Sequence, residues 1–96
     1  MVPLSFFQEL KVLADTYHIP IHLDGARLFN ATAALGCKVS EVCQYVDSVT
    51  FCLSKGLGAP VGSVICGSAT FIKQVRRARK MTGGTTHQCG VLAAAG

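Results

Sequence analysis

Two short segments contain the residues whose types and spacing could do chemistry. The first is His22-Leu23-Asp24-Gly25-Ala26-Arg27, in which a carboxylate follows a short apolar run and precedes a glycine. In open α/β sheets, ligands bind at the carboxyl ends of strands, and a glycine there lets the chain turn sharply. Asp24 and Arg27 could therefore face one crevice. An Asp-Gly pair after a strand is also a common turn with no function.

The second segment is a glycine-rich loop with a lysine near its start, Ser54-Lys55-Gly56-Leu57-Gly58-Ala59-Pro60-Val61-Gly62. Lys55 follows the apolar run 49–53 and has small neighbours, so a bound aldehyde could approach its amine. A lysine amine that is desolvated or lies near another cation becomes a nucleophile for Schiff-base formation. The alternative is an ordinary lysine on a solvated loop.

The two segments complement each other chemically. A pyridine-aldehyde cofactor requires a lysine for the imine and a carboxylate for the ring nitrogen. A carboxylate beside that nitrogen keeps the ring protonated, which makes the ring an electron sink. Asp24 and Lys55 are far enough apart in the sequence to lie at the ends of two different strands.

Helices alternate with short strands along the chain. This order predicts a mostly parallel sheet with helices on both faces. Ser5 and Gln8 fit a capping box at the first helix, and Pro20 ends any helix before it. The predicted helices are 5–18, 27–35, 40–45, 68–81 and one from His87, and the predicted strands are 19–23, 47–53 and 63–66.

The composition is typical of the interior of a larger α/β body. Of the 96 residues, 50% are hydrophobic and only 15% are charged, as expected for a sheet covered on both faces. The five cysteines are odd in number and irregularly spaced, which favours buried thiols in a reducing compartment over disulfides or a zinc site. We find no apolar run of the roughly 18 residues that span a bilayer and no signal peptide. We therefore expect a cytoplasmic protein without a metal.

The net charge of +4 comes largely from one basic run between Lys73 and Lys80. Such a run is found in nucleic-acid sites, but it is also typical of the solvated face of one helix. No aromatic residues interleave with these charges as a base-stacking platform requires. We therefore expect a solvated helix face and no nucleic-acid partner.

Three stretches resemble the L-threonine/L-allo-threonine aldolase family: HLDGARLFNATAALG, VDSVTFCLSKGLGAPVGSVICGS and RKMTGGTTHQCGVLAAAG. The similarity extends from about Pro3 to Gly96. It implies the fold-type-I pyridoxal-phosphate fold, also called the aspartate-aminotransferase fold. It also implies cleavage of threonine or allo-threonine to glycine and acetaldehyde, usually by a homotetramer with shared active sites.

The resemblance also implies roles for individual residues. Lys55 matches the lysine that forms the Schiff base with pyridoxal phosphate, and Asp24 matches the carboxylate on the pyridine nitrogen. Arg27 matches the arginine beside the ring that helps to bind the substrate carboxylate. Ser54 is expected to support the cofactor. His22 shares a strand face with Asp24 and is either a supporting residue, a weak candidate for the base, or simply packed.

Two departures from the family pattern affect these expectations. His87 stands where the family has an arginine that is expected to serve the phosphate, and a shorter, partly charged side chain should bind phosphate more weakly. The resemblance also implies that residues 1–96 are part of the large cofactor-binding domain. The family's N-terminal portion, with its glycine-rich phosphate loop, and its C-terminal small domain lie outside this sequence.

Three hypotheses about function stay open from the sequence. The first is threonine aldolase activity, and the second is a truncated, catalytically inactive product of such an enzyme. The third is the same fold with a different reaction, such as a β-eliminating lyase or an aminotransferase. Stereospecificity and the base that takes the β-hydroxyl proton are not predicted.

Overall fold

A computed structural model describes residues 2–96 as a small sheet with helices on both sides. The order of elements is α1 (Leu4–Tyr17), β1 (His22–Asp24), α2 (Leu28–Leu35), α3 (Val39–Cys43), β2 (Ser48–Cys52), β3 (Ser63–Gly67), α4 (Ala69–Met81) and α5 (Gly90–Ala93). The predicted alternation of helices and strands is confirmed.

The three strands form one sheet in the order β1-β2-β3. β1 and β2 are parallel, with His22 opposite Ser48 and Asp24 opposite Thr50. β3 returns antiparallel to β2 because only the loop 53–62 separates them, without the crossover that parallel strands require. The sheet of this chain is therefore mixed, and its parallel pair is the one that positions the chemistry.

The hydrophobic core lies on one face of the sheet, under α1, α2 and α3. Leu28, Val42 and Val49 are buried there, and Leu23 and Phe7 pack against them. Leu23 and Val49 are partners in the parallel pair. Since side chains alternate along a strand, His22 and Asp24 must lie on the opposite face.

Helix α4 covers part of that opposite face. A Cβ atom built on Gly67 would lie 2.6 Å from the ring of Phe71, so glycine is what lets α4 pack this close to β3. The Ser68 hydroxyl caps the helix by accepting from the Phe71 amide at 3.3 Å. The basic side chains of α4 are exposed, as the sequence predicted.

The ends of several elements differ from the prediction. The N-cap of α1 is Pro3 rather than Ser5, because the Pro3 carbonyl already accepts from Phe6 at 3.2 Å. β1 begins at His22 rather than residue 19, since the Ile19 amide still closes α1 through Ala14 at 2.9 Å. α5 begins at Gly90 and not at His87.

Much apolar surface remains exposed in residues 2–96. The radius of gyration is 15.1 Å, whereas a compact domain of about 100 residues has roughly 13 Å. Phe6, Leu13, Tyr17 and Val91 are among the exposed hydrophobic side chains. That other segments cover this surface in a larger body stays a prediction.

The cysteines are free, but they are less buried than predicted. Cys37, Cys43 and Cys52 are half-buried, whereas Cys66 and Cys89 are exposed, so the prediction of buried thiols is wrong for these two. No helix within residues 2–96 is long and apolar enough to cross a membrane.

Candidate active site

Asp24 lies at the carboxyl end of β1, where the chain turns into α2. Its Oδ1 accepts a hydrogen bond from the Ala26 amide at 3.2 Å, and the Gly25 amide donates to the Thr50 carbonyl at 2.7 Å. Within residues 2–96 no group donates to Oδ2 of Asp24. The turn therefore fixes an exposed carboxylate with one free oxygen on the polar face of the sheet.

Gly25 is what allows this turn to sit so close to β2. A Cβ atom at this position would lie 3.0 Å from the Thr50 carbonyl oxygen and 3.1 Å from Cβ of Leu28. Both contacts are tighter than ordinary side-chain packing permits. The approach of α2 to the sheet, and with it the position of Asp24, therefore depends on a glycine.

Arg27 caps the N-terminus of α2 and its side chain is exposed. The Leu28 amide donates to the Gly25 carbonyl at 2.8 Å, which closes the turn between Asp24 and the helix. Because the helix starts directly after Arg27, the guanidinium is carried on a rigid element, close in sequence to the carboxylate.

Lys55 lies on a loop that is closed by its own backbone. The Leu53 amide donates to the Gly62 carbonyl at 2.9 Å, and the Ala59 amide donates back to the Leu53 carbonyl at 3.0 Å. The Gly58 amide donates to the Lys55 carbonyl at 3.0 Å, with Gly58 in the left-handed region at φ 75°. The loop is ordered in itself, while the Lys55 and Ser54 side chains are exposed.

The structure brings the Asp24 turn and the Lys55 loop into contact. The Cys52 amide donates to the Ala26 carbonyl at 3.4 Å, which extends the parallel pairing beyond the two strands. A Cβ atom on Gly56 would overlap the side-chain amide of Asn30, so the loop rests against α2. Within residues 2–96 no ion pair involves Lys55 or Asp24; the ion pair there joins Lys11 to Asp15 at 2.7 Å. The two segments are thus in contact, and the Lys55 amine and the Asp24 carboxylate do not form an ion pair with each other.

His22 is bonded at both ring nitrogens on the same face as Asp24. Nδ1 lies 2.9 Å from the Ser48 hydroxyl, and Nε2 lies 3.0 Å from the Thr50 hydroxyl. Neither Ser48 nor Thr50 was predicted from the sequence as part of the site. The signal was present in the alternation of polar residues along β2, whose period of two puts Ser48 and Thr50 on one face.

His87 lies in the segment between α4 and α5, and its side chain is exposed. Its neighbour Thr86 lines a cavity of about 300 Å³ together with Leu53 and Gly62 of the lysine loop. The segment that carries His87 therefore packs at the base of the lysine loop. No contact brings the imidazole itself to Lys55.

The side chains brought together here fit part of a pyridoxal-phosphate site. An exposed lysine amine and a carboxylate with a free oxygen come from neighbouring strand ends, as an aldehyde and a pyridine nitrogen require. The phosphate has fewer obvious partners here, since Ser54 and His87 are the only candidates that the sequence offered. Within residues 2–96 no three histidine, cysteine or acidic side chains are grouped as metal ligands.

Comparison with known proteins agrees with this geometry. The model of the family described as beta-eliminating lyase matches residues 1–96. The chain belongs to the beta-eliminating lyase family. Among curated members, the low specificity L-threonine aldolase of Escherichia coli K12 is 49% identical over 96 residues, which is 100% of this chain and 29% of the relative. Low-specificity L-threonine aldolase 1 of Arabidopsis thaliana is 49% identical over 92 residues, or 96% of this chain and 26% of the relative.

Solved structures of this family share the fold. A protein from Exiguobacterium sp. 255-15, described as an aromatic amino acid beta-eliminating lyase/threonine aldolase, superposes with a TM-score of 0.90 at 26% identity. The match covers 99% of this chain and 27% of that protein. A Listeria monocytogenes protein described as an L-allo-threonine aldolase gives a TM-score of 0.80 at 26% identity, over 86% of this chain and 23% of its own.

These matches confirm the resemblance and the fold class that the motifs predicted. They also show that this beta-eliminating lyase chain spans only about 23% to 29% of the length of the relatives that it matches.

Proposed function

We propose that this chain carries the lysine and aspartate of a low-specificity L-threonine aldolase, which cleaves L-threonine or L-allo-threonine to glycine and acetaldehyde with pyridoxal phosphate. One observation carries the proposal. The Asp24 turn and the Lys55 loop are in contact at the carboxyl ends of two parallel strands, through Cys52 to Ala26 and Gly56 to Asn30. The 49% identity to the Escherichia coli aldolase over the whole chain supports the same assignment.

Pyridoxal phosphate, when bound, supplies an aldehyde carbon for an amine and a ring that accepts electrons released at the substrate's α-carbon. In our proposal Lys55 supplies that amine. Hydrogen bonds at Leu53, Gly58 and Ala59 already order its loop, so little backbone conformational entropy is lost when the amine binds the aldehyde. Small neighbours leave the amine open to approach.

Asp24 holds a proton at the ring nitrogen through its free Oδ2. The backbone amide of Ala26 occupies Oδ1, which fixes the orientation of the carboxylate before anything binds. A carboxylate held this way is preorganised for a positive charge that must persist during the reaction.

The remaining side chains are assigned to the substrate and the phosphate. Arg27, at the N-cap of α2, binds the substrate carboxylate, and Ser54 supports the cofactor from the lysine loop. His87 serves the phosphate in place of an arginine, with weaker affinity because an imidazole is shorter than a guanidinium and cannot make the same forked contact with a phosphate. His22 is not assigned as the base for the β-hydroxyl, since hydroxyls occupy both of its ring nitrogens.

We further propose that activity belongs to a longer protein in which residues 1–96 form part of the large domain. The chain spans 29% of the Escherichia coli enzyme. Exposed apolar side chains on α1, such as Leu13 and Tyr17, could be buried by other parts of a longer protein. The rest of the site would then come from other segments or subunits, as in a homotetramer. The isolated chain is accordingly expected to be inactive, and a cytoplasmic location stays a prediction.

A chimera tests the function directly. These 96 residues replace the matched stretch of the Escherichia coli aldolase, and glycine and acetaldehyde release from L-threonine is measured with added pyridoxal phosphate. We expect threonine cleavage in the chimera and its loss in Lys55→Ala. Lys73→Ala on α4 is the matched control, because its exposed side chain lies outside the site, and it should keep the activity.

The same chimera distinguishes the alternative reactions. Pyruvate released from an amino acid with a β-leaving group, without threonine cleavage, would favour a β-eliminating lyase, which the family description includes. Amino-group transfer from alanine without cleavage would favour an aminotransferase. A folded, cofactor-loaded chimera that turns over none of these substrates would contradict the assignment and favour an inactive product.

A further inference from the structure

The feature that the proposed function leaves unused is the chain of hydrogen bonds Ser48–His22–Thr50 on the polar face of the sheet. His22 Nδ1 meets the Ser48 hydroxyl at 2.9 Å and Nε2 meets the Thr50 hydroxyl at 3.0 Å. Ser48 is only 9% exposed, so one end of the chain is anchored in the protein. Whichever ring nitrogen carries the hydrogen, a hydroxyl can complement it as donor or acceptor.

Thr50 is the lateral neighbour of Asp24. The two residues are partners in the parallel register, and neighbouring strands lie about 4.8 Å apart. Both side chains stand on the same face, so a rotation about the Cα–Cβ bond of Thr50 would bring its hydroxyl within reach of the Asp24 carboxylate. In the structure the hydroxyl is directed to His22 instead.

The Asp24 carboxylate has one oxygen to offer. Oδ1 accepts from the Ala26 amide at 3.2 Å, and Oδ2 is free within the described residues. An Oδ2 atom that accepts from a hydroxyl can still accept a second hydrogen bond, but the hydroxyl would draw charge from it and weaken its bond with the ring N–H that the proposed function places there. Hydrogen bonds to charged groups are stronger than those between neutral groups, so Thr50 would favour the carboxylate if His22 did not hold it.

We propose that His22 is a positioning residue that keeps the Thr50 hydroxyl away from Asp24 and so leaves Oδ2 free for the pyridine nitrogen of the cofactor. The role assigned to Oδ2 rests on the proposed function. The hydrogen-bond arrangement itself does not. His22 acts through Thr50 and does not touch substrate.

The test compares His22→Ala, Thr50→Val and the double variant in the ¹³C,¹⁵N-labelled 96-residue chain at one pH. The Asp24 carboxyl ¹³C signal reports the hydrogen bonds to the carboxylate without any cofactor. We expect it to shift in His22→Ala, to return to the wild-type position in the double variant, and to stay unchanged in Thr50→Val. If the imidazole has only a packing role, the Asp24 signal of the double variant should stay shifted as in His22→Ala, and that result would overturn the proposal.

Two further measurements keep the test decisive if His22→Ala does not fold. In Thr50→Val one ring nitrogen signal of His22 should move while the Asp24 signal does not. An Asp24 signal that moves in Thr50→Val would show that the hydroxyl already bonds the carboxylate, and would overturn the proposal. His22→Gln, whose amide can bond both hydroxyls, should keep the wild-type Asp24 signal.

Binding of pyridoxal phosphate, followed by its absorbance, separates this inference from the proposed function. We expect binding about tenfold weaker in His22→Ala and restored by Thr50→Val in the double variant. If wild type binds but the double variant stays as weak as His22→Ala, the inference is wrong. If wild type does not bind at all, the result counts against the proposed function, and the Asp24 signals still decide the inference.

Discussion

Replacing Gly25 with alanine should destabilise the turn that fixes Asp24. The new Cβ would meet the Thr50 carbonyl oxygen at 3.0 Å, Cβ of Leu28 at 3.1 Å and Cγ2 of Val49 at 3.4 Å. None of these atoms is the end of a long flexible side chain. To make room, α2 must move away from the sheet.

The magnitude follows from two opposing terms. Overpacking of a well-filled site costs about 1–3 kcal/mol, and the stiffer unfolded chain returns about 0.4–1 kcal/mol. Gly25 does not have a positive φ, so no backbone strain is added. With central values of about 2 and about 0.7 kcal/mol for these two terms, the free energy of unfolding should fall by about 1.3 kcal/mol, which lowers Tm by roughly 5–10 °C for a chain of this size.

Thermal unfolding of the 96-residue chain followed by circular dichroism measures this change. Gly90→Ala is the matched control, since a Cβ there meets no atom within 4 Å and its φ is not positive. The control lacks the overpacking term, so only the stiffer unfolded chain acts and the free energy of unfolding should rise by about 0.4–1 kcal/mol. Equal stability of Gly25→Ala and wild type, or equal losses in both variants, would refute the packing argument.

Two other predictions concern the lysine loop and the thiols. Gly56→Ala should loosen the loop only slightly, because its Cβ would overlap the end of the Asn30 side chain, which can rotate away; a small increase in hydrogen exchange at the Gly58 amide would report this. A second substitution, Asn30→Ala, should restore slow exchange, and continued fast exchange in the double variant would contradict the contact. Burial raises the pKa of the Cys43 thiol, with a smaller contribution from Cys66, so iodoacetamide should alkylate Cys43 more slowly than the exposed Cys89 near pH 8.5. The pKa of the Cys43 thiol is higher in the folded chain than in the unfolded chain. The stabilisation from the neutral thiol is therefore complete below the unfolded pKa and is lost as pH rises through the folded pKa. Cys43→Ala should reduce the dependence of the free energy of unfolding on pH between these two pKa values.

The sequence predicted the elements and the two segments of the site because their signals are local. A glycine after Asp24 and three glycines after Lys55 mark turns at strand ends, and the turn positions follow from backbone freedom alone. The fold class followed from the alternation of helices and strands. These features depend on residues close together in the chain.

What the sequence did not predict depends on contacts between distant residues. The antiparallel return of β3 and the hydrogen bonds of His22 with Ser48 and Thr50 require the strand register, which local patterns do not fix. The contact of Gly56 with Asn30 is of the same kind. The predicted start of α1 was wrong because Pro3, and not Ser5, is the N-cap. Both residue types are favourable near a helix start, so the local pattern did not decide between them.

The measurement that tests the central claim most directly is borohydride trapping of the chain mixed with pyridoxal phosphate, followed by mass mapping of the modified lysine. We expect a visible absorbance band and a single main adduct on Lys55, lost in Lys55→Ala and retained in Lys73→Ala. Adducts spread evenly over Lys11, Lys55, Lys73 and Lys80, or no band at all, would contradict the claim that Lys55 and Asp24 form part of a cofactor site in this chain.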